Sequence, residues 1–207
     1  MNSNGKVLVV DDEKELAQQF GRALRREGYT VELAYSGEEA WEKYQQQYFD
    51  VVITDWRMGK MDGIELASRI NAFPPSTHII IITGFGTEFE RRLSDDKNYH
   101  PFDYLGKGAV TNDVLLEKVR QAMARRDPVI EALEEWVEKH PEEADEKTHI
   151  DFSHPPRSWS AREMLMEIKG NTKRGREEYK DMIKLTFHLM THGNIDTKVM
   201  ECARESM

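Results

Sequence analysis

The sequence predicts an α/β protein: a doubly wound, five-stranded parallel sheet followed by a small α-helical C-terminal module. Three observations predict it. Short apolar runs alternate with stretches of helical periodicity from residue 6 to about 126. Polar residues stand directly after those runs, where open parallel sheets gather their sites. Beyond residue 127 the apolar pattern is helical only. A chain of 207 residues suits one medium domain plus a smaller one, 1–126 and 127–207.

The elements follow in order. Residues 6–10 (Lys-Val-Leu-Val-Val) form a buried strand that ends in acids. Leu16, Phe20, Ala23 and Leu24 recur at helical spacing, and Gly28 supplies the stop. Residues 30–34 make a second strand. Ser36 with Glu39 has the capping-box pattern, opening a helix through Ala40, Trp41 and Tyr44. Residues 51–54 are a third strand, followed by a glycine-containing loop and a helix near 64–70. Residues 78–83 are a fourth strand and 104–105 a short fifth, with a closing helix at 114–123 capped by Thr111. Alternation of this kind implies parallel strands, right-handed crossovers and helices on both faces.

Composition narrows the function classes. Apolar residues make up 39% and charged residues 32%, enough for a core. The longest aliphatic run, residues 79–82, is far short of the roughly 20 residues a membrane helix needs. The first six residues lack the basic start and apolar stretch of a signal peptide. One cysteine, Cys202, can form neither an internal disulfide nor a cysteine metal cluster. The expected location is therefore the cytoplasm. A net charge of −9 argues against a nucleic-acid partner, whose phosphates are bound by clustered Lys and Arg.

The chemistry gathers at the strand ends. Asp11 and Asp12 follow the first strand, Asp55 the third, Thr83 ends the fourth and Lys107 comes just after the fifth. Singly, each has an ordinary reading: Asp11 and Asp12 as helix-start acids, Thr83 as a strand end. Together they crowd three carboxylates that repel one another unless a cation joins them. Oxygen-only ligands with room for water suit Mg²⁺. A carboxylate is a competent nucleophile toward phosphorus. Mg²⁺ and an ammonium would offset charge on the transferred group.

Four pieces, Val10-Asp-Asp-Glu13, Asp55-Trp-Arg-Met-Gly-Lys-Met-Asp-Gly63, Thr83-Gly84 and Tyr104-Leu-Gly-Lys107, occur in order and at matching spacing. On them the chain, from about Lys6 to Arg126, resembles the receiver domain of two-component response regulators. The resemblance implies a flavodoxin-like sheet of order 2-1-3-4-5 and phosphorylation of Asp55 by a histidine kinase or phosphotransfer partner. It implies Mg²⁺ held by Asp12, Asp55 and the backbone carbonyl of Arg57, with Asp11 acting through water. Thr83 and Lys107 would contact phosphoryl oxygens, and Tyr104 would be the ring whose rotamer reports the switch. Such a protein is a switch rather than a metabolic enzyme.

Three departures stand out, at Gly59, at Gly108 and in the segment 88–101, beside two bulky flanking residues. Gly59 and Gly108 replace frequent prolines of the family, making stiff loops more permissive. Residues 88–101 are poor in the aliphatic residues that pack the family's fourth helix, with Phe89 and Leu93 as anchors. Arg57 and Phe85 are bulky where the family controls water access, which predicts slow loss of phosphate.

The C-terminal part opens with Asp127-Pro128, a capping acid before a first-turn proline. Val129, Leu133, Trp136 and Val137 give its first helix an apolar side, and 142–158 read as a linker. Ser160 and Glu163 cap a helix stopping at Gly170. A longer helix runs from about 173 to 192, with Tyr179, Met182, Ile183, Phe187 and Met190 on one face and Gly193 as its stop. Trp136 and Trp159 read as anchors of a core or a domain interface. Two outputs compete. One is a protein-interaction module. The other is DNA binding through Lys173, Arg174, Arg176, Lys180 and Lys184, interrupted by Glu177, Glu178 and Asp181 in a segment with 12 Lys+Arg against 18 Asp+Glu. Protein interaction is favoured. His140, His149, His154, His188 and His192 have no His-Glu-x-x-His arrangement to support a metal reading.

Overall fold

The computed structural model describes residues 4–72, 77–84, 88–89, 101–125, 127–147, 149–151 and 157–191. They divide into two compact units, 1–127 and 128–207.

The first unit is a five-stranded parallel sheet: β1 (Lys6–Val10), β2 (Thr30–Ala34), β3 (Val51–Asp55), β4 (His78–Thr83) and β5 (Asp103–Gly106). The order is β2-β1-β3-β4-β5, so the chain reverses direction across the sheet between β1 and β3. Its helices are α1 (Lys14–Arg26), α2 (Gly37–Gln46), α3 (Gly63–Asn71) and α4 (Asn112–Met123). Because strand side chains alternate, one face presents Leu8, Val10, Val52, Ile79 and Ile81 to α2 and α3. The other presents Val7, Val9, Val51, Ile53, Ile80 and Ile82 to α1 and α4. Burial on both faces is why these strands read as continuous apolar runs.

Helix ends follow local chemistry. Gly28 takes φ +87° after α1. The Glu39 N–H donates to Ser36 Oγ at 3.1 Å, and the Tyr35 N–H donates to the Glu39 carboxylate at 2.9 Å. Asp62 and Thr111 cap α3 and α4 through the N–H groups of Glu65 and Val114. Of the anchors expected in 88–101, Phe89 is helical and fully buried, while Leu93 lies outside the described residues.

The second unit contains α5 (Pro128–Lys139), a 3₁₀ turn at Glu143–Asp145, β6 (His149–Asp151), β7 (Arg157–Trp159), α6 (Ala161–Lys169) and α7 (Lys173–Thr191). This corrects the linker reading of 142–158. β6 and β7 pair antiparallel, with Ile150 opposite Ser158. The acidic stretch is folded because cations meet it: Arg162 donates to Asp145 at 2.7 Å and to the Pro141 carbonyl at 3.0 Å. Ala144 is completely buried, its N–H on the His140 carbonyl. A tally of apolar residues misses such a turn, since one alanine and several backbone bonds hold it.

Three details concern the helices. α6 carries the complete Ser160–Glu163 capping box and stops at its C-cap Gly170 as the sequence predicts, with Gly170 at a right-handed φ of −74°. The left-handed residue is the buried Asn171, φ 50°, a conformation Asn tolerates better than most residues. Trp136 is half-buried and stacks on the His140 ring at 4.9 Å, while Trp159 is 3% exposed in the core of the second unit. On α7 Tyr179 is buried, yet Ile183 is 41% exposed; Gly193 and His192 lie outside the described residues.

Candidate functional site

The site forms where β1, β3, β4 and β5 end. Asp11 follows β1 directly, and its N–H bonds the Ala34 carbonyl, extending the ladder by one residue. Asp55 closes β3 opposite Ile82, and Thr83 closes β4 opposite Gly106. Lys107 follows β5 with its N–H on the Thr83 carbonyl at 2.7 Å. Parallel register thus brings residues up to 96 positions apart in sequence to one edge.

Asp11, Asp12 and Asp55 each offer one carboxylate oxygen, all within 4.8 Å of one another; Asp11 and Asp55 are buried and Asp12 is exposed. The Lys107 ammonium lies 3.4 Å from Asp11, 3.2 Å from Asp55 and 2.9 Å from Glu13. Burial pushes the Asp11 carboxyl up to about 6, outweighing the Glu13 N–H and the Lys107 charge that lower it. Burial likewise raises Asp55 against the pull of Lys107. Burial would lower Lys107, but the bond to Glu13 and the charges of Asp11 and Asp55 hold it above its usual range.

Four carboxylates therefore face one ammonium, an excess of negative charge held in place by the sheet. That donor set fits Mg²⁺: hard oxygens only, with one ligand open to water.

The remaining expected residues are distributed as follows. Thr83, at the end of β4, is 1% exposed. Tyr104 lies on β5, 38% exposed, with its ring 5.4 Å from that of Phe89. The Arg57 side chain pairs with Glu88 at 2.5 Å and lies over the Trp56 ring at 4.8 Å. Phe85 lies outside the described residues. Gly59 sits at φ +32°, which proline cannot reach. Three further residues matter at the site: Glu13, for which the sequence pattern predicts no partner; Phe89, expected only as a packing anchor; and Gly63, expected only as a turn residue. A Cβ on Gly63 would stand 2.2 Å from the Asp55 carbonyl, so the loop after β3 closes only over a glycine. Its N–H donates to the Trp56 carbonyl at 2.7 Å. The Asp-Gly pair carries the signal for Gly63 and apolarity that for the burial of Phe89, while nothing local marks Glu13 as a partner of Lys107.

A doubly wound sheet with three carboxylates, a threonine and a lysine at its strand ends defines a phosphoacceptor class of signalling domain. The chain belongs to the response regulator receiver domain family, which its residues 7–120 match. It is 41% identical over 81 residues to the transcriptional regulatory protein ZraR of Salmonella typhimurium, covering 39% of this chain and 18% of that one. It is 32% identical over 132 residues to the transcriptional regulatory protein GlrR of Escherichia coli, covering 64% of this chain and 29% of that one. The chain thus spans under a third of the length of these curated relatives. A receiver domain structure from Clostridium thermocellum is similar at 32% identity and TM-score 0.52, covering 58% of this chain and 94% of that one. A CheY-like receiver structure from Methanospirillum hungatei is similar at 27% identity and TM-score 0.53, with the same coverage. Among the described residues no helix is long and apolar enough to cross a membrane.

Proposed function

We propose that this protein is a phosphorylation-controlled switch in which Asp55 accepts a phosphoryl group from a histidine kinase or phosphotransfer partner. The observation that carries the reading is Asp55 itself: buried, at the end of β3, with the Lys107 ammonium 3.2 Å away and two further aspartates beside it. A carboxylate oxygen of Asp55 forms the new bond to phosphorus as the bond to the donor's imidazole nitrogen breaks. The departing imidazole takes up a proton.

Asp12, Asp55 and the Arg57 carbonyl would hold Mg²⁺ directly, with Asp11 acting through water; bound there, the ion neutralises charge on the transferred group. Lys107, already bound to Asp55, pairs with a second phosphoryl oxygen, and the Thr83 hydroxyl binds a third. The new charge of roughly −1.5 to −2 draws these groups inward, biasing the Tyr104 ring and with it the second unit. That unit, 128–207, is the output, and we assign it to protein binding in the cytoplasm. The exposed α7 residues Lys173, Glu177, Lys180, Asp181 and Lys184 alternate in charge, and an acid among bases repels phosphate.

DNA binding is the second reading. The three-residue turn between α6 and α7, with left-handed Asn171, favours it, as does the name transcriptional regulatory protein borne by ZraR and GlrR. Incubation with acetyl phosphate and Mg²⁺ tests the main reading. A hydroxylamine-labile label on the wild type that Asp55→Asn lacks supports it; equal labelling of both refutes it. Retention of random duplex at low salt by the full chain would move the output to the DNA reading.

A further inference from the structure

We propose that Phe89 is a positioning residue that couples the loop bearing the phosphoacceptor to Tyr104, through a chain of aromatic rings running Trp56–Phe89–Tyr104. The inference rests on the reading of Asp55 as acceptor.

Trp56 is covalently next to Asp55, and its N–H bonds the Ile82 carbonyl at 3.0 Å, so the end of β3 is tied to β4 at that point. Its ring is 6% exposed and meets Phe89 edge-on, centroids 5.3 Å apart and planes at 62°. Phe89 is fully buried, and its other side meets Tyr104 at 5.4 Å and 55°. Both contacts lie in the range where ring pairs attract through edge and face. Successive side chains on a helix point about 100° apart, so Glu88 and Phe89 face different ways. Residues 56 and 57 grip both: Trp56 holds Phe89 inside, while Arg57 pairs with Glu88 outside and lies across the Trp56 ring.

A close-packed interior responds to a displaced ring by choosing another arrangement, not by yielding smoothly. A shift of the Asp55–Trp56 backbone therefore reaches Tyr104 through Phe89. Tyr104, 38% exposed on the edge strand β5, carries it to the surface. The segment poor in aliphatic residues thus contributes the buried Phe89 ring to this link.

The test is ¹⁹F NMR of the full chain carrying fluorotryptophan or fluorotyrosine, with resonances assigned by Trp56→Phe and Tyr104→Phe. Beryllofluoride with Mg²⁺ is the probe, and Phe89→Leu keeps apolar bulk while deleting the ring. In the wild type both the Trp56 and the Tyr104 resonances shift. In Phe89→Leu the Trp56 shift and its Mg²⁺ dependence persist while the Tyr104 shift is lost. A Tyr104 shift as large as in the wild type overturns the proposal, whatever the variant's melting temperature. Should Phe89→Leu not fold, Trp56→Leu cuts the chain at its other end. Loss of the Tyr104 response there supports the link, and an intact response overturns it. Silence of both resonances in the wild type would instead refute Asp55 as the acceptor, and the link with it.

Discussion

The two units solve the same problem with different means. In 1–127 a sheet covered on both faces buries whole aliphatic rows, and that interior holds Asp11, Asp55 and Thr83 out of water at the strand ends. In 128–207 the buried apolar residues are few: Ile130, Val137, Ala144, Trp159, Met164, Ile168 and Tyr179 among those described. Order there leans on caps, on ion pairs such as Lys169–Glu134 and Arg162–Asp145, and on backbone contact between helices. A Cβ on Gly175 of α7 would stand 2.1 Å from the Glu167 carbonyl of α6. The Thr172 hydroxyl receives the Gly175 N–H at 2.9 Å and donates to the Glu167 carboxylate at 2.5 Å. A large core can carry uncompensated charge as a working part, whereas a small unit buries a smaller fraction of its surface and depends on exact local fit.

The contrast can be broken most sharply at Asp55. Asp55→Asn should abolish phosphoryl labelling while leaving the thermal unfolding of 1–127 unchanged or raised, because it removes a repelled buried charge. A loss of stability alongside labelling would mean that the carboxylate holds the fold together.

Gly175→Val should act in the opposite sense. Overpacking between α6 and α7 should cost about 1–3 kcal/mol or more of the second unit's stability while leaving acetyl phosphate labelling intact. Hydrogen exchange read separately over the two units checks this.

A third expectation concerns pH. The folded Asp11 carboxyl is raised above its ordinary 3.8 to about 6. It therefore binds protons more tightly folded than unfolded, and its contribution to stability is present below 3.8 and lost as pH rises through 6. Without Mg²⁺ the receiver unit should be less stable at pH 7.5 than at pH 5 through this group, by about 1 kcal/mol. Mg²⁺ should raise the melting temperature more at pH 7.5. Equal Mg²⁺ shifts at both pH values would contradict the shared-cation reading.

Ser160→Ala, which removes the capping box of α6, should destabilise the second unit by about 1 kcal/mol, measured by denaturant unfolding. Smallest is Arg57→Ala: freed from Glu88 and Trp56, the mouth of the pocket should admit water more readily and shorten the phosphoryl lifetime by a few-fold, about 1 kcal/mol or less of barrier. An unchanged lifetime would show that the Arg57–Glu88 pair does not shield the phosphoryl group.

What the sequence by itself determined was whatever obeys a short period or a local bond. Runs such as Val7–Val10 and Ile79–Ile82, caps at Ser36, Asp62, Thr111 and Ser160, and the stop at Gly28 are decided within a few residues. So is the appearance of Asp11, Asp55, Thr83 and Lys107 directly after strands. The tertiary structure alone decided the rest. Glu13 reaches Lys107 only because β1 and β5 end at one edge of the sheet, 94 residues apart in sequence. Phe89 becomes a link only between rings contributed by β5 and the loop after β3. Residues 142–147 are ordered where Arg162, well beyond the acids, returns to meet Asp145, and 149–151 pair with β7, which supplies backbone partners to β6. Left-handed geometry falls on Asn171 and not on the adjacent glycine, and α6 and α7 meet closely at Gly175. Contacts between distant segments depend on register and packing, and neither leaves a periodic trace in the chain.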